Sequence, residues 1–326
     1  MMYLRPHKMK ILIIGGSGFI GTNLVESLLA QDYTILNIDV VPPRCLKHQP
    51  YWQYTDINDL NNFQQNVANY NPQYIVHLAA RTDLDGKNLD DYSVNIRGVE
   101  NLMHIIPKLT DLQKVLITSS MLVCRTGYIP TNPFDFAPST FYGASKVETE
   151  KIVWSHQPTC DWAILRPTSI WGPWFGTPYK DFFDMVLSGR YFHIGHRGCT
   201  KTYGYVGNAV YQIERLLFQD TWDNSNKIFY IGDNPATNIE QWADEIAKEI
   251  GSQIRHLPLG IIRIAGWIGD LLQHIGIHFP MTSFRLTNMT TDNKVNLENT
   301  YRVAPNPPYD RIEGIRTTLQ WIQEQQ

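Results

Sequence analysis

The chain has 326 residues and a formal net charge of -3. This length exceeds that of a small disulfide-stabilised domain and permits one large domain or two of ordinary size. A hydrophobic content of 43% supplies material for a buried core and excludes an intrinsically disordered protein. Because the charge offers no basic surface to neutralise phosphate backbones, a nucleic-acid-binding protein is not expected.

The chain also lacks the signals of a secreted protein. Its four cysteines are widely spaced and contain no Cys-x-x-Cys pair, which does not support a zinc site or a disulfide framework. Residues 1–8 are basic, but no apolar signal segment precedes Ile11, so they are expected to form a flexible tail. Reduced thiols in a cytoplasmic protein are therefore expected.

The first structured segment reads as a βαβ unit. The β-branched run at 11–14 predicts a strand buried on both faces of a parallel sheet. After Gly21 apolar residues recur at helical spacing, and a second apolar strand at 34–38 ends at Asp39.

The alternation of strands and helices continues along the chain. We predict helices over 60–69, 92–106 and 142–154, and strands over 74–78, 114–118 and 162–165. Repeated segments of these lengths indicate an α/β protein with a Rossmann doubly wound parallel sheet.

The sequence after Pro167 becomes rich in glycine, proline and aromatic residues, which predicts a smaller, loop-rich α/β substrate domain. Within it we predict a helix over 206–218, a strand over 228–231 and an amphipathic helix over 239–250, with Trp242, Ile246 and Ile250 on its buried face.

The helix over 206–218 and the following strand are expected to rejoin the Rossmann sheet. The Rossmann domain then comprises 9–170 and about 203–232, and the substrate domain comprises about 171–202 and 233–326. An apolar stretch at 257–277 is interrupted by Arg263 and Asp270, so a core or interfacial helix is expected there, not a transmembrane segment.

The glycine-rich turn at 15–21 lies between a predicted strand and a predicted helix. In that setting backbone amides and a helix N-terminus hold a pyrophosphate. Asp39, at the end of the next strand, is placed to bind the adenosine ribose hydroxyls and to repel a 2′-phosphate. The pattern favours NAD over NADP.

Several short motifs in the chain occur in a fixed order on strand ends and helix starts. They are Gly15-x-x-Gly18-x-x-Gly21, His77-Leu78-Ala79-Ala80, Asn95-x-x-Gly98, Ser119-Ser120 and Tyr142-Gly143-Ala144-Ser145-Lys146. Together they resemble the extended short-chain dehydrogenases/reductases, and more narrowly the NAD-dependent epimerase/dehydratase family. The resemblance runs from Lys10 to the end of the chain.

Tyr142 and Lys146 are four positions apart at the start of a predicted helix, so their side chains emerge on one face. A phenol with a pKa of about 10 is a poor base at neutral pH. A nearby ammonium group lowers that pKa. The pair is therefore suited to general acid–base catalysis.

The resemblance implies the remaining site residues. The catalytic residues would be Ser120, Tyr142 and Lys146, with Ser120 sharing the substrate proton. The cofactor would contact Gly15, Gly18, Phe19, Ile20, Gly21, Asp39, Asp56, Ile57, Leu78, Ala79, Ala80, Asn95, Tyr142, Lys146 and Pro167. The substrate would contact Thr82, Ser120, Ser169 and Lys201.

Two of these positions depart from the usual pattern of nucleotide-sugar members of the family. Ser169 stands where many of them carry Asn, and Lys201 stands where they usually carry an Arg that contacts substrate phosphate. Lysine keeps the charge but loses the bidentate fork. His193 and His196 lie in a glycine-rich stretch with no third ligand nearby, so loop or substrate-lining roles are expected and no metal.

The resemblance implies NAD-dependent hydride transfer at a hydroxyl or keto carbon, with a nucleotide sugar as the first candidate substrate. Met121 and Leu122 follow Ser120 where family dehydratases carry acids, which disfavours dehydration. An epimerase and a 4-keto reductase use the same residues, so both stay open.

Two further alternatives remain. The 257–277 stretch with the later Pro280 and Trp321 resembles 3β-hydroxysteroid dehydrogenase-like relatives, for which the substrate would be a lipid-like alcohol. A non-catalytic dinucleotide-binding sensor is the alternative from another class. The resemblance also implies a homodimer formed by the helices that begin near Tyr92 and at Tyr142.

Overall fold

The computed structural model describes residues 9–194, 198–219, 226–258 and 290–325, together with Gly260 and Trp267. The predicted tail at 1–8, His196 and most of the 257–277 stretch lie outside the described residues.

The strands are β1 (Lys10–Ile14), β2 (Thr34–Asp39), β3 (Trp52–Tyr54), β4 (Tyr74–His77), β5 (Lys114–Thr118), β6 (Asp161–Pro167), β7 (Ser169–Trp171), β8 (Phe192–Ile194), β9 (Thr200–Lys201), β10 (Tyr203–Tyr205), β11 (Ile228–Ile231), β12 (Thr237–Asn238) and β13 (Arg255–Leu257). The helices are α1 (Phe19–Ala30), α2 (Leu60–Tyr70), α3 (Ser93–Ile105), α4 (Phe141–His156), α5 (Tyr179–Leu187), α6 (Val206–Phe218), α7 (Ile239–Glu249), α8 (Glu298–Val303) and α9 (Arg311–Glu324).

Among the described residues, seven parallel strands form the central sheet in the order β11-β6-β5-β4-β1-β2-β3. On one face, Ile11 and Ile13 of β1 pack against α1 and α6. On the other, Leu12 and Ile14 pack against α2, α3 and α4. Burial on both faces explains the continuous apolar run of β1, and the predicted Rossmann architecture is confirmed.

The structure confirms most predicted elements and adds several others, among them β3 and α5. The helix over 206–218 and the strand over 228–231 have the predicted bounds, and β11 pairs with β6 as expected. The edge strand β3 was not predicted, because three residues are too few to show an alternating hydrophobic pattern. The helix α5 was not predicted either, since the glycines and prolines around it masked its buried Phe183 and Val186.

An aromatic cluster forms the core of the smaller lobe. Trp242 of α7 stacks on Phe182 with ring centres 4.7 Å apart, and Trp171 and Tyr203 lie 5.2 and 5.1 Å from it. Ile250, predicted on the same buried face, is 38% exposed because α7 ends at Glu249. That part of the prediction was wrong.

The prediction that a helix begins at Leu257 was also wrong. Leu257 is the last residue of strand β13, which pairs with β8. Within the described residues, no helix combines the length and the apolar character needed to cross a bilayer.

Removing the Trp242 ring is expected to destabilise the protein, because the indole is 1% exposed and fills the aromatic cluster. We expect Trp242→Ala to lower the free energy of unfolding by about 3–5 kcal/mol. Urea titration measures this change. Ile250→Ala at the exposed end of the same helix is the control and should cost less than about 1 kcal/mol. Equal losses in both variants would contradict the packing described.

Candidate active site

The turn between β1 and α1 needs glycine for steric reasons. Gly15 has φ +89°, and a Cβ there would lie 2.5 Å from the Ala79 nitrogen. A Cβ on Gly21 would lie 2.3 Å from the Gly15 carbonyl oxygen. No side chain from the described residues caps α1 at Gly18, so its first amides are open to an anion.

Asp39 is fixed at the end of β2 by the same turn. Its carboxylate accepts hydrogen bonds from the amides of Ser17, at 3.1 Å, and Val41, at 3.2 Å. Burial raises the pKa of Asp39, and these amide hydrogen bonds oppose the rise. The carboxylate therefore has a defined orientation beside the glycine turn.

A cavity of about 680 Å³ opens between the glycine turn, Asp39 and the end of β4. The predicted cofactor residues on its wall are Gly15, Gly18, Asp39, Asp56, Ile57, Leu78, Ala79 and Ala80. Further wall residues, not predicted from sequence, are Ser17, Ile38, Val40, Val41, Pro42, Arg44, Thr55, Arg81 and Val94. Val40, Val41 and Pro42 follow the end of β2, and Thr55 follows the end of β3, which is the signal that identifies these four.

Other predicted cofactor residues are not on the wall of this cavity. They are Phe19, Ile20, Gly21, Asn95, Tyr142, Lys146 and Pro167. Asn95 is buried in α3 and anchors the loop after β4. It accepts from the Arg81 amide at 2.7 Å and donates to the Arg81 carbonyl and the Ser145 hydroxyl, each at 3.0 Å.

Ser120, Tyr142 and Lys146 come together at the ends of β5 and α4. Ser120 lies close enough to Tyr142 for its side chain to lower the pKa of the tyrosine, and Ser120 Oγ accepts a hydrogen bond from the Leu122 amide at 3.1 Å. Lys146 Nζ donates to the Thr118 carbonyl at 3.0 Å and lies 6.0 Å from the Tyr142 ring centre. The neighbouring Ser119 instead donates to Glu150 at 2.5 Å.

Burial shifts the pKa values of the two titratable members in opposite directions. It raises the pKa of Tyr142 to about 12, against the effect of the Ser120 hydrogen bond. It lowers the pKa of Lys146 to about 8, against the effect of Glu150. Without ligand, Tyr142 is thus a protonated acid at neutral pH. A cation bound beside it would favour the tyrosinate.

The other expected substrate residues, Ser169, Lys201 and Thr82, lie on separate elements of the fold. Ser169 hydrogen-bonds to Tyr179 of the unpredicted helix α5, and Tyr179 packs edge-on against Tyr203 at 5.8 Å. Lys201 is partly buried in β9, and burial lowers its pKa. Thr82 is exposed in the loop after β4.

His193 lies in strand β8, 1% exposed, with Nε2 2.8 Å from Asp244 Oδ1, which places it in the core of the smaller lobe and not in a loop. Among the residues that the structure describes, no three His, Cys, Asp or Glu side chains are grouped to hold a metal ion.

A parallel sheet with a glycine turn at the first strand end, an acid at the second and a Ser-Tyr-Lys group at β5 and α4 defines a dinucleotide-dependent enzyme of the short-chain dehydrogenase type. The family model "NAD dependent epimerase/dehydratase family" matches residues 11–207. The chain belongs to that family, and its cofactor is NAD.

Similar proteins cover nearly the whole chain. An N-acetyl-α-D-glucosaminyl-diphospho-ditrans,octacis-undecaprenol 4-epimerase of Escherichia coli O157:H7 is 25% identical over 95% of this chain and 94% of its own. A 3-β-hydroxysteroid dehydrogenase of Mycolicibacterium neoaurum is 28% identical over 81% of this chain and 75% of its own. A solved UDP-glucuronic acid 4-epimerase from Bacillus cereus in complex with NAD shares the fold, with a TM-score of 0.72 and 19% identity over 97% and 99% of the two chains.

Loss of the Asp39 carboxylate is expected to weaken discrimination against NADP, since it removes a negative charge beside the adenosine ribose. We expect Asp39→Ala to lower the ratio of NAD to NADP affinity at least about tenfold, which corresponds to an interaction of about 1.4 kcal/mol. Titration calorimetry measures both dissociation constants.

Arg44 supplies the control for that experiment. It lines the same cavity and its charge acts on Asp39, so it is a cation available to a 2′-phosphate once Asp39 is removed. Asp39→Ala combined with Arg44→Ala should gain less NADP affinity than Asp39→Ala alone. An unaltered protein that bound both cofactors equally would contradict the assignment of Asp39.

Proposed function

We propose that this chain is an NAD-dependent 4-epimerase acting on a sugar carried on a diphosphate, with Ser120, Tyr142 and Lys146 as its catalytic residues. The observation that carries the proposal is the grouping of the Ser120 and Tyr142 side chains, with Lys146 Nζ 6.0 Å from the centre of the tyrosine ring. Asn95 connects the helix that carries this group to a cavity suited to a dinucleotide, since it hydrogen-bonds to Ser145 of α4 and to Arg81 on the cavity wall.

Tyr142, Ser120 and Lys146 each have a different role in the proposed proton transfer. Tyr142 accepts the proton of the substrate hydroxyl, Ser120 hydrogen-bonds to the same oxygen, and the Lys146 ammonium stabilises the tyrosinate. Bound NAD supplies a hydride acceptor that can return the hydride to the opposite face of the sugar carbon. Tyr142 then returns the proton to the oxygen, so the enzyme ends each cycle unchanged.

Other residues hold the cofactor and the substrate. The glycine turn at Gly15 and the uncapped start of α1 at Gly18 would hold the pyrophosphate, Asp39 would bind the adenosine ribose, and Ala79 and Ala80 would leave room for the nicotinamide. Lys201 is the candidate cation for the substrate diphosphate. Ser169 and Thr82 are the candidate hydroxyls for the sugar.

Two lines of support favour epimerisation. Met121 and Leu122 provide no acid after Ser120, so the elimination step of a dehydratase lacks a proton donor there. The Escherichia coli and Bacillus cereus relatives are both 4-epimerases, one of a sugar on undecaprenyl diphosphate and one of a UDP-sugar. Their shared chemistry is a sugar linked to a diphosphate.

A hydroxysteroid dehydrogenase is the second candidate, because the Mycolicibacterium neoaurum relative is 28% identical. Its substrate would be an apolar alcohol without phosphate. In that reaction the hydride leaves with the cofactor, so NADH accumulates in proportion to product.

Tyr142→Phe tests the catalytic assignment. It removes the hydroxyl that exchanges the proton while keeping the buried ring, so we expect turnover to fall by at least about 100-fold with NAD affinity nearly unchanged. Tyr74→Phe is a suitable control, because Tyr74 lies at the opposite edge of the sheet and donates to Gln113. Substantial turnover in Tyr142→Phe would overturn the assignment and favour a non-catalytic dinucleotide sensor.

A substrate panel tests the substrate class. Purified protein with NAD is incubated with UDP-, GDP-, dTDP- and CDP-sugars, a sugar on polyprenyl diphosphate in detergent, and a 3β-hydroxysteroid. We expect interconversion of 4-epimers of a diphosphate-linked sugar with no net NADH. Stoichiometric NADH with the steroid alone would support the second candidate. Keto-sugar reduction that consumes NADH would make the enzyme a reductase.

We also propose that two chains associate through α3 and α4, whose mutual packing leaves Phe141 46% exposed at the start of α4. Light scattering should give a dimer, and Phe141→Glu should give a monomer. A monomeric unaltered protein would contradict this proposal. The four cysteines are widely spaced and contain no Cys-x-x-Cys pair, which supports a cytoplasmic location.

A further inference from the structure

A buried ion pair lies directly behind the proposed catalytic group. Glu150 of α4 and Arg166 of β6 are each 1% exposed. Arg166 Nε lies 2.9 Å from Glu150 Oε1, and Nη2 lies 2.7 Å from Oε2. Burying two charges costs desolvation energy that their attraction often fails to exceed, so such a pair is weak evidence of a purely stabilising role.

The pair is joined to every element that carries a proposed catalytic residue. Glu150 lies one helical turn after Lys146, and its Oε1 accepts the Ser119 hydroxyl at 2.5 Å. Ser119 directly precedes Ser120 at the end of β5, where its amide donates to the Leu165 carbonyl at 2.6 Å.

The arginine is held in turn by two further acceptors. It donates to the Pro133 carbonyl at 2.8 Å and to the Tyr230 hydroxyl at 3.0 Å. A guanidinium with this many partners cannot rotate freely, so it holds the Glu150 carboxylate in one orientation.

We propose that Glu150, held by Arg166, is a positioning residue for the hydride-transfer site: it fixes the strand end that carries Ser120, and its carboxylate places a negative charge behind Lys146. The inference rests on the proposed catalytic roles of Ser120, Tyr142 and Lys146. Neither Glu150 nor Arg166 touches the reacting atoms.

The charges around Lys146 define what Glu150 does there. Tyr142 lies on the same helix, the Thr118 carbonyl comes from β5, and His77 of β4 is neutral because burial and Lys146 lower its pKa to about 3. Glu150 raises the pKa of Lys146 against the lowering effect of burial.

The groups around Glu150 decide what its loss would do. Besides Arg166, it has the protonated Tyr230 of β11 nearby, and the Cys124 thiol, whose pKa burial raises. Without the carboxylate, the buried Lys146 would lose the negative charge that raises its pKa. Its pKa would fall, and it would lose its proton at a lower pH.

The test compares three variants by the pH dependence of kcat and kcat/KM. Glu150→Gln keeps the size and a hydrogen-bond acceptor for Ser119 but removes the charge. We expect a lower kcat, and an alkaline limb that moves to lower pH by about half a unit or more. Glu150→Asp keeps the charge on a shorter side chain, so kcat should fall while the alkaline limb stays in place.

Ser119→Ala isolates the positioning effect. It leaves the ion pair intact and removes one hydroxyl, so it should fold, bind NAD normally and keep its alkaline limb. We expect kcat to fall by about tenfold with KM nearly unchanged, because small displacements of a reacting group cost rate.

The outcomes separate this inference from the proposed function. Unchanged kcat in Ser119→Ala overturns the positioning role, and an unmoved alkaline limb in folded Glu150→Gln overturns the charge role. If Glu150→Gln does not fold, the charge role is tested with Glu150→Asp. A charge role requires the alkaline limb of Glu150→Asp to lie at the same pH as that of the unaltered enzyme, so a shifted limb overturns it. Turnover surviving in Tyr142→Phe would instead remove the proposed function on which the inference rests.

Discussion

Parallel pairing of the central strands is the constraint on which the candidate site depends. It brings the carboxyl ends of β1, β2, β4, β5 and β6 to one edge of the sheet, and each end is followed by a candidate functional residue. Gly15 follows β1, Ser120 follows β5, and Asp39 ends β2. Residues far apart in sequence therefore lie along one edge of the sheet, where Gly15 and Asp39 line the same cavity.

The need for close backbone approach accounts for the small residues at that edge. The Ala79 nitrogen leaves no space for a side chain on Gly15, and the Gly15 carbonyl leaves none on Gly21. The same packing brings backbone amides, an uncapped helix start and the Asp39 carboxylate to one surface. An anionic dinucleotide with a ribose matches that combination of donors and acceptor.

The chemistry of Ser120, Tyr142 and Lys146 depends on pKa shifts that burial causes and that nearby groups only partly offset. Tyr142 and Lys146 are both almost fully buried, so each is driven toward its neutral form. Ser120 opposes that effect at the tyrosine, and Glu150 opposes it at the lysine. Such opposed effects leave the protonation states responsive to a bound cation, which suits a group that must release and regain a proton.

The amino-acid sequence by itself determined the Rossmann half of this protein. Continuous apolar strands, helical spacing and the Gly15–Gly21 turn are local signals, because buried parallel strands and dinucleotide turns impose short-range patterns. The order of the motifs also predicted Ser120, Tyr142 and Lys146 as the catalytic group, and the fold brings these three residues together.

Only the tertiary structure decided the rest, because it depends on contacts between distant segments. Helix α5, whose Tyr179 meets Ser169, is stabilised by packing on Trp242 and carries little pattern of its own. The joining of Glu150 to Arg166 requires β6 to lie beside β5 and beneath α4. Neither contact leaves a periodic pattern in the sequence, so neither could be predicted without the tertiary structure.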